Sequence, residues 1–223
     1  MTLSKTALAL TGLMALGALA AGGYAVYTMQ SLHDYRFPVL FVLAAVTARL
    51  KVKLPGLTGN MAVNLPFLLI AVVQLSMLEA LLVALPACAV QCFPKRGGQP
   101  KLVQVIFNLS TMGVAVAAAS LIGKHFALAG AAVFFLVQTV PVACIIGFTE
   151  GGAIHKIWSG IAHYSFPFYV LSMGIAAIAT LFASQFAWQV PLVCLPVVYA
   201  IYRSYESYFR GPRVARGSLV ETL

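Results

Sequence analysis

Between Leu102 and Gly123 the chain contains no charged side chain, and between Phe126 and Phe148 it contains none again. A helix needs roughly 20 such residues to cross the hydrocarbon core of a bilayer. A helix is also one of only two structures that satisfy every backbone group while crossing lipid. Two such runs, separated only by Lys124 and His125, therefore exclude most soluble architectures. The composition agrees. Apolar residues make up 61% of the 223 positions and charged residues 9%, against roughly 25% charged in soluble domains. The formal net charge of +9 does not point to nucleic acid, because the cations sit in short links between apolar runs and not along one polar face.

The apolar phase divides the chain into eight segments. The first runs from about Lys5 to Met29. Lys5, the run that follows and Ala18-Leu19-Ala20 imitate a secretory signal with a small-residue cleavage site. The run continues beyond Ala20 to Tyr24 and Tyr27, which favours an uncleaved helix ending in an aromatic belt. Ala7, Thr11 and Ala15, then Ala18 and Gly22, form small-residue rows that let helices approach closely. The second segment, Pro38 to Leu50, is short, about 20 Å if helical. The third runs Met61 to Leu78 and the fourth Ala80 to Phe93, with a water-facing turn at Glu79 making them a hairpin. The fifth is Leu102 to Gly123 and the sixth Phe126 to Phe148, kinked at Pro141. A polar loop from Glu150 to Trp158 leads to the seventh, Ile161 to Ala183. The eighth runs Val190 to Tyr202. Tyr199, Tyr202, Tyr205 and Tyr208 then mark a helix leaving the apolar phase, so that residues 1–210 form one helical domain and 211–223 a short basic tail.

Between the second and third segments lies RLKVKLPGLTGNMAVN, Arg49 to Asn64. Arg49, Lys51 and Lys53 fall within five residues. Pro55, Gly56 and Gly59 stop an incoming helix, and Thr58 or Asn60 is placed to cap a new one entering at Met61. With the N-terminus inside, Lys5, Arg49, Lys51, Lys53, Lys95, Arg96, Lys101, Lys156, Arg203, Arg210, Arg213 and Arg216 lie on the cytoplasmic side. Only Arg36 and Lys124 of the 14 cations fall outside. That bias sets orientation. The expected fold is an all-α polytopic transmembrane bundle of about eight segments, N- and C-terminus both cytoplasmic, in a bacterial inner membrane.

Polar side chains inside apolar helices need partners and mark candidate sites. Asn64, Gln91, Gln104 and Asn108 fall in the cytoplasmic third of the third, fourth and fifth segments. Gln104, Asn108 and Thr111 share one helix face by spacing, so an amide cluster is expected above the Arg49 to Asn64 link. Gln138 lies near mid-depth. At the opposite mouth, Gln74, Glu79, Lys124 and His125 are the candidates, with Glu79 facing water or pairing with Lys124. Catalysis finds no support. The chain has five carboxylates, none in a close intramembrane pair, and lacks a metalloprotease helix, a phosphate loop and a serine elbow. The four histidines are split between the two sides, and Cys88, Cys92, Cys144 and Cys194 sit in apolar runs, so neither a metal nor another cofactor is expected.

Two motifs together resemble a known module. One is the cationic stretch ending Leu54-Pro55-Gly56, followed by a polar turn and an apolar helix; the other is Ile106-Phe107-Asn108 before a small-residue helix. Their order, with Tyr199-Ala200-Ile201-Tyr202-Arg203-Ser204-Tyr205 as an exit helix, resembles the N-terminal multi-pass membrane sensor module of bacterial GGDEF and HD-GYP signalling proteins. The resemblance covers about residues 36 to 210. It implies a non-enzymatic sensory or ligand-binding role, with Asn108 and Arg49 to Gly56 as family-typical positions. No output domain follows Gly211, so a signal would pass to a separate cytoplasmic protein. The expected partners are the lipid bilayer, that protein and a small apolar or amphipathic ligand, with no nucleic acid. The rival reading is the substrate-binding component of a vitamin-type energy-coupling-factor transporter, which the bundle's small-residue first helix also resembles, with another transporter subunit as partner. Its polar groups belong at the outer mouth, around Glu79, Lys124 and His125.

Overall fold

In a computed structural model the described residues are 5–29, 34–53, 60–93, 101–123, 126–186, 189, 192–204 and 207. They form a helical fold with one small ribbon. The helices are α1 (Lys5–Tyr27), α2 (Arg36–Thr47), α3 (Leu65–Gln74), α4 (Met77–Cys92), α5 (Leu102–Gly123), α6 (Ala127–Ile146), α7 (Ile154–Phe186) and α8 (Leu192–Ser204). Four stretches are long and apolar enough to cross a membrane: α1, α5, α6 with its continuation to Gly151, and α7 as far as Phe182. The remaining helices, α2, α3, α4 and α8, are apolar but shorter.

The link between α2 and α3 holds the first departure from expectation. Strands β1 (Lys51–Lys53) and β2 (Asn60–Ala62) pair antiparallel, with Lys51 opposite Ala62 and Lys53 opposite Asn60. Leu50 O then accepts from Val63 N at 3.1 Å, extending the ladder by one bond. Asn60 is therefore a strand residue and not a helix cap, and α3 starts at Leu65 behind Asn64. Pro66 suits that start, because its missing N–H falls where the helix has no acceptor to offer. Thr58, Pro55 and Gly56 lie outside the described residues.

Helix α3 is the centre of the molecule. Every residue from Leu65 to Val72 is buried. An all-round apolar helix has no polar stripe to give to water, so it is stable only when enclosed. Helices α2, α4, α5 and α7 enclose it. The chain reverses at Leu75 and Ser76, not at Glu79: Leu75 is extended (φ −96°, ψ 169°) and Ser76 caps α4. Glu79 lies inside the first turn of α4 and is only 3% exposed, against the expected water-facing turn.

The long helices pack on small residues. At the α5–α6 turn, a Cβ added to Gly130 would stand 2.5 Å from Gly123 Cα, so the approach requires glycine at 130, whereas a Cβ at Gly123 would meet nothing nearer than Val72 Cγ1 at 3.6 Å. Helix α1 lies at the periphery against α5, burying Ala7, Thr11 and Ala25. Its small-residue row thus packs within the chain, where Ala18 Cβ comes within 3.3 Å of the position a Gly113 Cβ would take. Helices α6 and α7 are joined by aromatic contacts, Phe135 lying edge-on to Tyr169 at 4.9 Å and to Phe166 at 5.8 Å. Trp158 Nε1 donates to Thr139 Oγ1 at 3.1 Å. Residues 154–158 are therefore helical rather than loop, because Gly151, at φ 73°, and Gly152 have already broken the chain. The outward surface is apolar: Leu19 on α1 is 74% exposed and Leu181 on α7 77%.

Candidate functional site

The polar side chains gather at the two ends of the α3–α4 hairpin. At the open end Asn64 closes α3. Its backbone O accepts from Phe67 N at 3.1 Å and Leu68 N at 3.2 Å, while its side chain caps nothing. Instead Gln91 Nε2, at the far end of α4, donates to Asn64 Oδ1 at 2.9 Å. One residue on, Cys92 Sγ receives Asn108 Nδ2 of α5 at 3.7 Å. Two of the four amides expected to cluster, Asn64 and Gln91, thus meet, and Asn108 rests on Cys92, the neighbour of Gln91. Gln104 does not join them and is exposed. The first turn of α5 reaches past the end of α4, so spacing alone overstated how much of that face is covered.

The open end holds unused hydrogen-bonding capacity. Asn64 is 2% exposed and its Nδ2 has no partner among the described residues; Thr111, 1% exposed and one turn beyond Asn108, has none for its hydroxyl. Buried polar atoms are rarely left this way, because each costs about 1–3 kcal/mol.

The turn end is different. Glu79 Oε2 accepts from Ser76 N at 3.0 Å and Ser76 Oγ at 2.7 Å, and Ser76 Oγ accepts from Glu79 N at 3.3 Å. Glu79 Oε1 accepts from Asp34 N at 3.4 Å. Arg36 Nη1 donates to Gln74 Oε1 at 3.2 Å and its Nε lies 3.4 Å from Asp34 Oδ1. Gln74 Nε2 reaches Thr180 Oγ1 of α7 at 3.5 Å. This network ties α2, α3, α4 and α7 at one level and satisfies the buried carboxylate. Asp34, Arg36 and Thr180 belong to this network although the sequence does not mark them as site residues. The Ser76-x-x-Glu79 spacing is a capping-box signal that was there to be read; the Arg36–Gln74 and Gln74–Thr180 pairs join distant segments and leave no local trace. Lys124 and His125, the other candidates for this end, lie outside the described residues, as does His33.

Gln138 stands on α6, half-buried, with Oε1 buried and unpartnered among the described residues. No group of three or more His, Cys, Asp or Glu side chains among the described residues is placed to hold a metal. No protein-family model, curated protein or solved structure matches the chain.

Proposed function

We propose that this chain is a non-enzymatic integral membrane module that binds a small apolar or amphipathic ligand and relays its presence to a cytoplasmic partner. On this reading eight segments cross a bacterial inner membrane, with both termini cytoplasmic. The observation that carries the ligand reading is the state of Asn64: almost fully buried at the mouth of the central helix, with a spare N–H. A buried amide with a donor left over suits a guest, whereas at the turn end the one buried donor without a hydrogen bond among the described residues, Arg36 Nε, still has an ion-pair partner in Asp34 at 3.4 Å. The relay runs through α8. Its Tyr199 and Tyr202 rings lie 6.3 Å apart, and Val198 is buried in the core from which the helix departs.

The transporter reading is the second. It is favoured by the Arg36–Gln74–Thr180 bridge, which joins three helices where an external substrate would enter. Short α2 and α3 also suit it, since interrupted helices frequently line transport sites.

Native mass spectrometry of the protein gently extracted from its own membrane tests both. A discrete co-purifying molecule that is lost in Asn64→Leu and Asn108→Leu supports the sensing site. One that survives those changes and is lost in Glu79→Ala moves the site to the turn end and to transport. A mass carrying only bulk lipid argues against both.

A further inference from the structure

We infer that Cys88 and Cys92, at the end of α4, form a dithiol site for a monosubstituted trivalent arsenical, whose arsenic atom the two sulfurs share. Neither the spare N–H of Asn64 nor a co-purifying guest enters into it.

Side chains four residues apart lie on one face of a helix, one turn above the other. Here they touch: the Cys88 and Cys92 thiols hydrogen-bond to each other, and neither is in a disulfide. Asn108 Nδ2 of α5 donates to Cys92 Sγ at 3.7 Å and so positions the outer sulfur. Cys88 is 3% exposed, whereas Cys92 is half-buried and is the last residue of α4, beside an exposed Phe93. A reagent therefore reaches the pair from the helix end, through Cys92. Packing alone asks for small apolar side chains there and not for one thiol set against another.

The class of the guest follows from ligand count and charge. Zinc wants four ligands, and among the described residues no third His, Cys, Asp or Glu joins the pair. Hard ions want oxygen, and the acid of α4, Glu79, stands in its first turn, at the opposite end. What remains is a soft centre satisfied by two sulfurs. Cys88 is buried and the C-terminal end of a helix disfavours negative charge, so a product with no net charge is preferred. The bis-thiolate of a monovalent ion such as Cu(I) keeps one negative charge. A linear centre such as Hg(II) gives a neutral product but pushes the sulfurs apart. A monosubstituted arsenical, R–As=O, meets both demands. Its As=O bond is exchanged for two As–S bonds, both thiol protons leave with the oxygen as water, and arsenic stays trivalent. The two sulfurs end on one atom at a bent angle, which suits thiols already in contact.

The test uses the full chain in lipid nanodiscs and phenylarsine oxide as the probe. Expected is one arsenical per chain by intact mass, retained against excess mercaptoethanol, a monothiol, and released by dithiothreitol, a dithiol. Fragmentation of the treated wild-type protein should place the arsenic on the segment holding Cys88 and Cys92, and not on Cys144 or Cys194; this readout needs no variant to fold. Cys88→Ala and Cys92→Ser should each weaken retention by about a hundredfold or more, because the second As–S bond forms within one molecule. Cys144→Ser and Cys194→Ser should leave it unchanged. Ready loss of the adduct to mercaptoethanol would mean that one sulfur acts alone and would overturn the dithiol site. Arsenic found on Cys144 or Cys194, or no adduct at all, would overturn it too. Retention of Zn(II) or Cu(I) on Cys88 and Cys92, with no arsenical bound, would replace the arsenical by a metal ion.

Discussion

Gln91 and Asn64 meet across the open end of the α3–α4 hairpin, Nε2 to Oδ1 at 2.9 Å, and close it 27 residues apart in sequence. An amide pair between apolar helices contributes about 0.6–2 kcal/mol. Asn64→Leu and Gln91→Leu should each lower the thermal midpoint, and the double variant should be less destabilised than the sum. A double-mutant cycle reads this directly. Strict additivity would mean that the two side chains do not interact in the native protein.

At the turn end, Ser76 and Glu79 stabilise the start of α4 reciprocally. Ser76→Ala should cost about 1 kcal/mol, as loss of a helix cap does. Glu79→Ala should cost more, because it also releases the Asp34 N–H. Glu79→Gln, which keeps a carbonyl acceptor, should fall between wild type and Glu79→Ala. Chemical denaturation in mild detergent ranks the three.

Gly130 allows α6 to touch the backbone of α5 at Gly123. Gly130→Ala would put a Cβ 2.5 Å from Gly123 Cα, and backbone cannot yield as a side-chain tip can. The variant should lose more than about 2 kcal/mol of stability, the upper range for overpacking. Gly174→Ala on α7 is the control. Nothing lies within 4 Å of its added methyl, and alanine is the better helix former, by about 1 kcal/mol. Thermal midpoints measured on the two variants should move in opposite directions.

Gly113→Leu should separate α1 from α5. The added side chain starts 3.3 Å from Ala18 Cβ on α1. The expected result is faster proteolysis within α1 while α3 to α7 remain protected, followed by mass spectrometry of the fragments. Uniform digestion of the chain would contradict a peripheral α1.

Much of the helical framework is legible in the sequence because long uncharged runs report it without reference to neighbours. The ends of α5 fall where the charges stop, at Leu102 and Gly123. Of the expected amide cluster, Asn64 and Gln91 meet, while Asn108 pairs with Cys92 instead of with another amide. What fails is anything decided by a neighbour. Gln104 satisfies the spacing rule but is exposed. Glu79 looks like a turn residue because it is charged, yet its charge is spent on a cap one turn after the real reversal at Leu75. The β1–β2 ribbon escaped because Lys51 to Lys53 reads as a cationic link, and only its register with Asn60 to Ala62 makes it strand. Thr180 carried no sign of its role, since its partner Gln74 lies 106 residues away.

The length of α3 bears on how the molecule is made. Ten residues rise about 15 Å, half of a hydrocarbon core. Such a segment is too short to be recognised by the insertion machinery as a span in its own right. It needs walls, and one of them, α7, is synthesised some eighty residues later. If the chain enters a membrane as it is translated, α3 waits at the surface, with α4 folded behind it, until α5 to α7 are in place. The centre of the finished protein is then among the last parts to reach its position, and a ribosome stalled before α7 would leave behind a chain with its core still outside.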